Sequence, residues 1–160
     1  MELNPHDFEV YNNKGVVLEK LGKYELALGS YKKAIELNPN YSNAYINKAA
    51  TLEKLGKHDL VLEAYIKAIE LNCNDSKVYF NTGNIFRILG KYDLAFKVYD
   101  KAIELNKNFV ESYVNKGNML LELGKYDLAL KAYNKALELN PDDLETKAQV
   151  QTILDMQKTK

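Results

Sequence analysis

The side chains able to do chemistry are few. His6 and His58 are the only histidines, Cys73 is the only cysteine, and Arg87 is the only arginine. Acyl transfer needs a nucleophile with a base in reach, and no motif supplies Cys73 with one. Zinc and calcium sites need Cys-x-x-Cys, His-x-x-x-His or an acidic loop, and none of these spacings occurs. Gly-Lys recurs at Gly22, Gly56, Gly90 and Gly124, but Val17, Thr51, Ile85 and Met119 stand where a phosphate loop needs a second glycine. The expectation is no enzyme, no metal and no cofactor.

Amides recur with more regularity. Asn13, Asn47, Asn81 and Asn115 stand 34 residues apart, with Asn84 and Asn118 three residues after the last two. A side-chain amide carries two donor hydrogens and an acceptor, so it can pair with the N–H and C=O of a peptide backbone. Asparagine forms helices poorly, so four in register ask for a reason. The row is expected to hold a bound peptide; bonding between neighbouring helices is the alternative.

Charge and composition narrow the partners. The 160 residues carry 22 Lys and Arg against 22 Asp and Glu, a net charge of zero. That balance disfavours a nucleic-acid or membrane-surface partner, since both draw on clustered cations. No run approaches the 18 apolar residues of a membrane span, and the first residues lack a signal-peptide pattern. A single cysteine suits a reducing compartment, so a cytoplasmic location is expected.

The residues sit on an internal repeat. Leu-Gly-Lys begins at Leu21, Leu55, Leu89 and Leu123, and Lys-Ala-(Ile/Leu)-Glu-Leu-Asn begins at Lys33, Lys67, Lys101 and Lys135. The units are 8–41, 42–75, 76–109 and 110–143. Each holds two apolar stripes at helical spacing, parted by a glycine suited to end a helix. Gly15, Ala49, Gly83 and Gly117 recur in the first helix, and Ala27, Val61, Ala95 and Ala129 in the second. Missing side chains there let paired helices approach, and Tyr31, Tyr65, Tyr99 and Tyr133 supply bulk nearby. A hairpin of this kind cannot bury its own face, but stacked copies share a core. Leu144, Ala148, Val150, Ile153 and Leu154 mark a final capping helix within 144–160. The spacing therefore predicts nine helices and no strands. Residues 2–5 repeat the phrase that closes a unit, and residues 1–7 read as the remnant of an upstream repeat.

The pattern resembles the tetratricopeptide repeat family, through Tyr11, Gly15, Leu18, Gly22, Tyr24, Ala27, Tyr31, Ala34 and Pro39 of the first unit and their counterparts over residues 8–143. The resemblance implies an all-α, right-handed α-solenoid whose first helices line a concave side. His58 replaces a repeated tyrosine, Val61 replaces an alanine, and Cys73 and Lys107 replace the proline of Pro39 and Pro141, so two loops are expected to have weaker stops. Ile46, Phe80 and Val114 flank the amide row and could floor a groove. Lys77 is the one residue placed for the carboxylate clamp that some family members use on chaperone tails, which disfavours that ligand. The expected function is an interaction scaffold that binds a partner peptide or helix in the groove. The alternative is a structural spacer or self-assembly segment of a larger protein. End-to-end self-association is also expected, through Val10, Val17 and Leu21.

Overall fold

The computed structural model describes residues 7–158, so the reading of residues 1–7 as a repeat remnant lies, all but Asp7, outside the described residues. Among these residues there are nine α-helices and no strand. They are α1 (Phe8–Lys20), α2 (Tyr24–Leu37), α3 (Ser42–Lys54), α4 (His58–Glu70), α5 (Ser76–Ile88), α6 (Tyr92–Leu105), α7 (Val110–Glu122), α8 (Tyr126–Leu139) and α9 (Leu144–Lys158). The chain divides into two compact units, one closing at Asn74 and the other starting at Asp75. Helices α1–α4 form the first and α5–α9 the second. In each, paired helices make antiparallel hairpins and successive hairpins stack. The class is the expected one, all-α and built of repeated hairpins.

The turn inside each hairpin follows from one backbone requirement. Gly22, with φ 71°, sits in the left-handed region, and Lys23 N–H reaches back to the Leu18 carbonyl at 2.9 Å. That closes the orphan carbonyls at a helix end, and glycine adopts this φ without a Cβ penalty.

The loops between hairpins correct one expectation. Helix α6 stops at Asn106 (φ −142°, ψ 96°) much as α2 stops at Asn38 (φ −141°, ψ 93°), although Lys107 replaces the proline. The reason is the asparagine. Asn38 Oδ1 accepts the Asn40 N–H and Asn106 Oδ1 accepts the Asn108 N–H, both at 3.1 Å, so the side chain folds the turn. Only the Cys73 loop departs. There Asn72 takes a left-handed φ of 57°, Cys73 N–H bonds the Ala68 carbonyl at 3.2 Å, and Cys73 is buried.

Core packing turns on a ring against a bare backbone. A Cβ added to Gly15, Gly83 or Gly117 would lie 2.4, 2.5 or 2.6 Å from the ring of Tyr31, Tyr99 or Tyr133. Those rings are wholly buried, and each contributes about 2–3 kcal/mol through the hydrophobic effect. Ala27, Val61, Ala95 and Ala129 are also fully buried.

Helix α9 covers α8 through Ile153, which is fully buried with Leu120, Ala129 and Tyr133, with Val150 alongside. Leu144, Ala148 and Leu154 do not share that face: they are exposed, and Thr146 is buried in the first turn instead. The start of α9 is fixed by Asp143. Its Oδ1 accepts the main-chain N–H of Glu145 and Thr146 at 3.1 and 3.2 Å, and its Oδ2 accepts the Thr146 hydroxyl at 2.6 Å.

Candidate binding face on the first helices

Each unit presents its own first-helix face. In the first unit the face is carried by α1 and α3. Asn47 Nδ2 donates to Oδ1 of Asn12 at 2.9 Å, and Asn12 is buried. Glu19 is the hub beyond this pair. Its Oε2 accepts the Tyr31 hydroxyl (3.1 Å) and the Thr51 hydroxyl (3.0 Å), and its Oε1 accepts Lys54 Nζ (2.8 Å). Burial opposes ionisation of Glu19, but the bonds from Lys54, Thr51 and Tyr31 outweigh it and hold the carboxyl below the ordinary glutamate range. Asn13 is exposed, and Ile46 is half-buried.

In the second unit the face is carried by α5 and α7. Asn84 Oδ1 accepts both the Tyr99 hydroxyl and Asn115 Nδ2, each at 2.7 Å. Asn118 Oδ1 accepts the Tyr133 hydroxyl at 2.7 Å. Arg87 Nη1 meets Glu122 Oε1 at 2.7 Å. Burial pushes Tyr99 up to about 12, against the nearby Arg87 charge, and burial with the Glu122 charge pushes Tyr133 up to about 12.

Of the residues singled out for the site, Phe80, Val114 and Asn115 come together around an open hollow of about 400 Å³, closed at its sides by Val110, Glu111, Asn140 and Asp143. The Phe80 ring rests on Phe109, with centroids 5.0 Å apart, so one edge is anchored in the fold. Asn81 is half-buried, and Lys77 is exposed with its main-chain N–H on Asp75 at 2.9 Å.

The alternative left open by the sequence, bonding between neighbouring helices, accounts for part of the amide chemistry. Asn84 and Asn118 serve as acceptors for buried tyrosines, and Asn47 and Asn115 spend Nδ2 on neighbouring helices. The bonding roles of Asn12, Glu19 and Thr51 are not apparent from the sequence. A signal was available, since glutamate three residues after an apolar residue (Val16 and Glu19, Ala50 and Glu53) gives way to an early asparagine (Asn84 and Arg87, Asn118 and Leu121).

Two other groups need placing. His58 is exposed at the start of α4 and Cys73 is buried in its loop. Among the described residues, no three His, Cys, Asp or Glu side chains converge as metal ligands, and no helix is long and apolar enough to cross a membrane.

The hairpin repeats and their register define a helical-repeat protein, and family models agree. Models of the tetratricopeptide repeat match residues 8–41, 30–63 and 110–143, and a further model of the same repeat matches 83–120. The chain belongs to the tetratricopeptide repeat family. Solved structures share the fold. One of the MamA protein matches with a TM-score of 0.87 at 20% identity, over 92% of this chain and 81% of its own. YrrB, described as a TPR protein with an unusual peptide-binding site, matches with a TM-score of 0.87 at 22% identity, over 97% and 80%. Another MamA structure matches with a TM-score of 0.79 at 26% identity, over 91% and 83%. No curated protein matches the sequence at a significant level.

Proposed function

We propose that the chain is a protein-interaction scaffold and that its first-helix faces take an extended or helical segment of another protein. The observation that carries this reading is the half-used amide. Asn47 and Asn115 each spend Nδ2 on a neighbouring helix, and among the described residues no side-chain bond engages their Oδ1 atoms. An amide held by one end is pre-positioned, and its carbonyl oxygen is ready to accept a ligand main-chain N–H. Phe80 and Val114 beside Asn115 offer an apolar floor for a side chain of the same ligand. Lys77 stands at the start of the same helix as Phe80. YrrB, a relative in fold, carries a peptide-binding site by its description, and that lends the reading support by analogy. A cytoplasmic location goes with it.

The test is isothermal titration of peptides recovered by display against the wild type and the Asn47→Ala and Asn115→Ala variants. Each lost bond of about 0.5–1.5 kcal/mol should weaken binding roughly two- to tenfold. Phe80→Ala should weaken it further, by about 2 kcal/mol. Stability should also fall by a smaller amount, because Asn12 and Asn84 each lose a donor. If the variants melt earlier yet bind as tightly as the wild type, the amides are structural and the scaffold reading of this face fails.

A second reading has its own observation. Val17 on α1 and Leu21 just past its end are 57% and 63% exposed, an apolar edge suited to end-to-end packing of copies. A strictly monomeric chain by light scattering at rising concentration would remove it.

A further inference from the structure

Helix α7 has a second face that the amide chemistry does not use. Asn115, Asn118 and Glu122 lie along one side, and Tyr113, Lys116 and Leu120 along another, each set at i, i+3, i+7 spacing. The second set opens on a hollow of about 420 Å³ bounded by α6, α7 and α8. Its floor is apolar: Phe96, Ile103, Leu120, Leu128 and Ala132. Leu128 is 49% exposed, as its repeat counterparts Leu26, Leu60 and Leu94 are, and here it lies beside the apolar floor.

The rim is cationic. Lys116, Lys125, Lys131 and Lys135 line the hollow against one carboxylate, Asp100. Lys116 pairs with Asp100 and Lys135 pairs with Glu138. Lys116 and Lys125 also stand over the Phe96 ring, 5.9 and 5.7 Å from its centroid. Lys131 has no ion pair among the described residues. The fold does not demand this sign. In the first unit, the hollow lined by α3 and α4 holds Lys48 and Lys67 against Asp59, Glu63 and Glu70. The position that is Glu63 in the second repeat is Lys131 in the fourth.

We propose that the α6–α7–α8 hollow is a second docking site, and that its occupant is an acidic amphipathic segment of another protein. Apolar side chains of that segment cover Phe96 and Leu128, and its Asp or Glu residues meet Lys125 and Lys131. Charge complementarity of this kind selects partners and speeds association, while the apolar floor supplies the affinity. A nucleic acid fits less well, because the Phe96 ring that could stack on a base already faces two ammonium groups.

The experiment is to pan the full chain with displayed amphipathic peptides of about 16 residues whose polar positions carry either Asp and Glu or Lys. The acidic class should be recovered. The best acidic peptide should bind at least about tenfold more weakly to the Lys125→Glu, Lys131→Glu double variant and to Leu128→Asp, with helix content and melting unchanged in the charge variant. Asn115→Ala should bind it as well as the wild type, which separates this site from the first-helix face. Equal recovery of Lys-bearing peptides would overturn the proposal, as would affinity untouched by charge reversal. Competition by oligo-dT or polyglutamate as strong as by the amphipathic peptide would also overturn it, by showing a mere polyanion surface. So would self-association abolished by the charge reversal with no peptide recovered, which would give the hollow to a second copy.

Discussion

The two units solve one problem in opposite ways. Every repeat buries a tyrosine whose hydroxyl needs an acceptor, because a buried donor left unpaired is costly. In the first unit a glutamate near the end of the first helix accepts. Glu19 takes Tyr31, and the partly desolvated Glu53, whose pKa burial raises, takes Tyr65. In the second unit an asparagine one turn earlier accepts: Asn84 takes Tyr99 and Asn118 takes Tyr133. The reason lies in the ion pair that joins neighbouring first helices. It runs Glu19 to Lys54 in the first unit and Arg87 to Glu122 in the second, with the signs reversed. Arginine has donors but no acceptor, so with Arg87 at the glutamate's place the tyrosine must find another partner, and Asn84 provides it. Leu121 cannot accept either, and Asn118 stands in. One choice of charge sign thus dictates a second residue a turn away.

This contrast can be broken in several ways. The largest effect is expected where all tyrosine-bearing repeats but the second agree: Gly83→Leu or Gly117→Leu should destabilise by about 3 kcal/mol in urea unfolding, since even a Cβ would press on the ring. A neutral result would mean the close approach of ring and backbone does not exist. Next, Asn118→Val should cost about 2 kcal/mol by stranding the Tyr133 hydroxyl. Adding Leu121→Glu should restore much of the loss by recreating the first unit's arrangement in the second. Failure of that rescue, with the single variant destabilised as expected, would show that the two solutions are not interchangeable. Asp143→Ala should cost about 1 kcal/mol and lower the helical signal as α9 frays.

The smallest effects are in pH. Tyr99 and Tyr133 have folded pKa values raised to about 12, above the ordinary tyrosine value near 10. Their contribution to stability is complete below pH 10 and is lost as pH rises towards 12, because the unfolded chain gives up the proton first. Tyrosinate absorbance should show these rings ionising after the others. A single transition near pH 10 in the folded protein would contradict the burial. Glu19 works in the other direction. Its folded pKa is depressed, so its contribution is present above the ordinary glutamate value and lost as pH falls through the folded one. Glu19→Gln should therefore flatten the acid side of the stability curve.

The hairpins were legible because period and glycine placement act locally. Leu-Gly-Lys fixes each tight turn, and no distant contact is needed to read it. The stop at Asn106 was misjudged because proline is conspicuous, whereas the asparagine side chain does the folding. The candidate site was harder. A row of asparagines states which side chains share a face, but not which of their atoms are already bonded. Asn84 looks identical to Asn81 in sequence; its partner Tyr99 lies on another helix, and only packing brings them together. The buried Leu120, Ile153 and exposed Leu154 likewise depend on how α9 lies on α8, a rotation its weak apolar pattern does not specify.

The order of contacts carries a kinetic consequence. Within the first unit α1 meets α2 and α3, and within the second α5 meets α6 and α7, and α8 meets α9. Helices that touch are thus neighbours along the chain, and the loops closed are short, so little chain entropy opposes the first contacts. Such local topologies fold in microseconds to milliseconds. Each hairpin can form as soon as its second helix has left the ribosome, with no need to wait for the C-terminus. Within each unit the exposed apolar edge of the first repeat is then covered by the second, so each unit assembles hairpin by hairpin in the direction of translation.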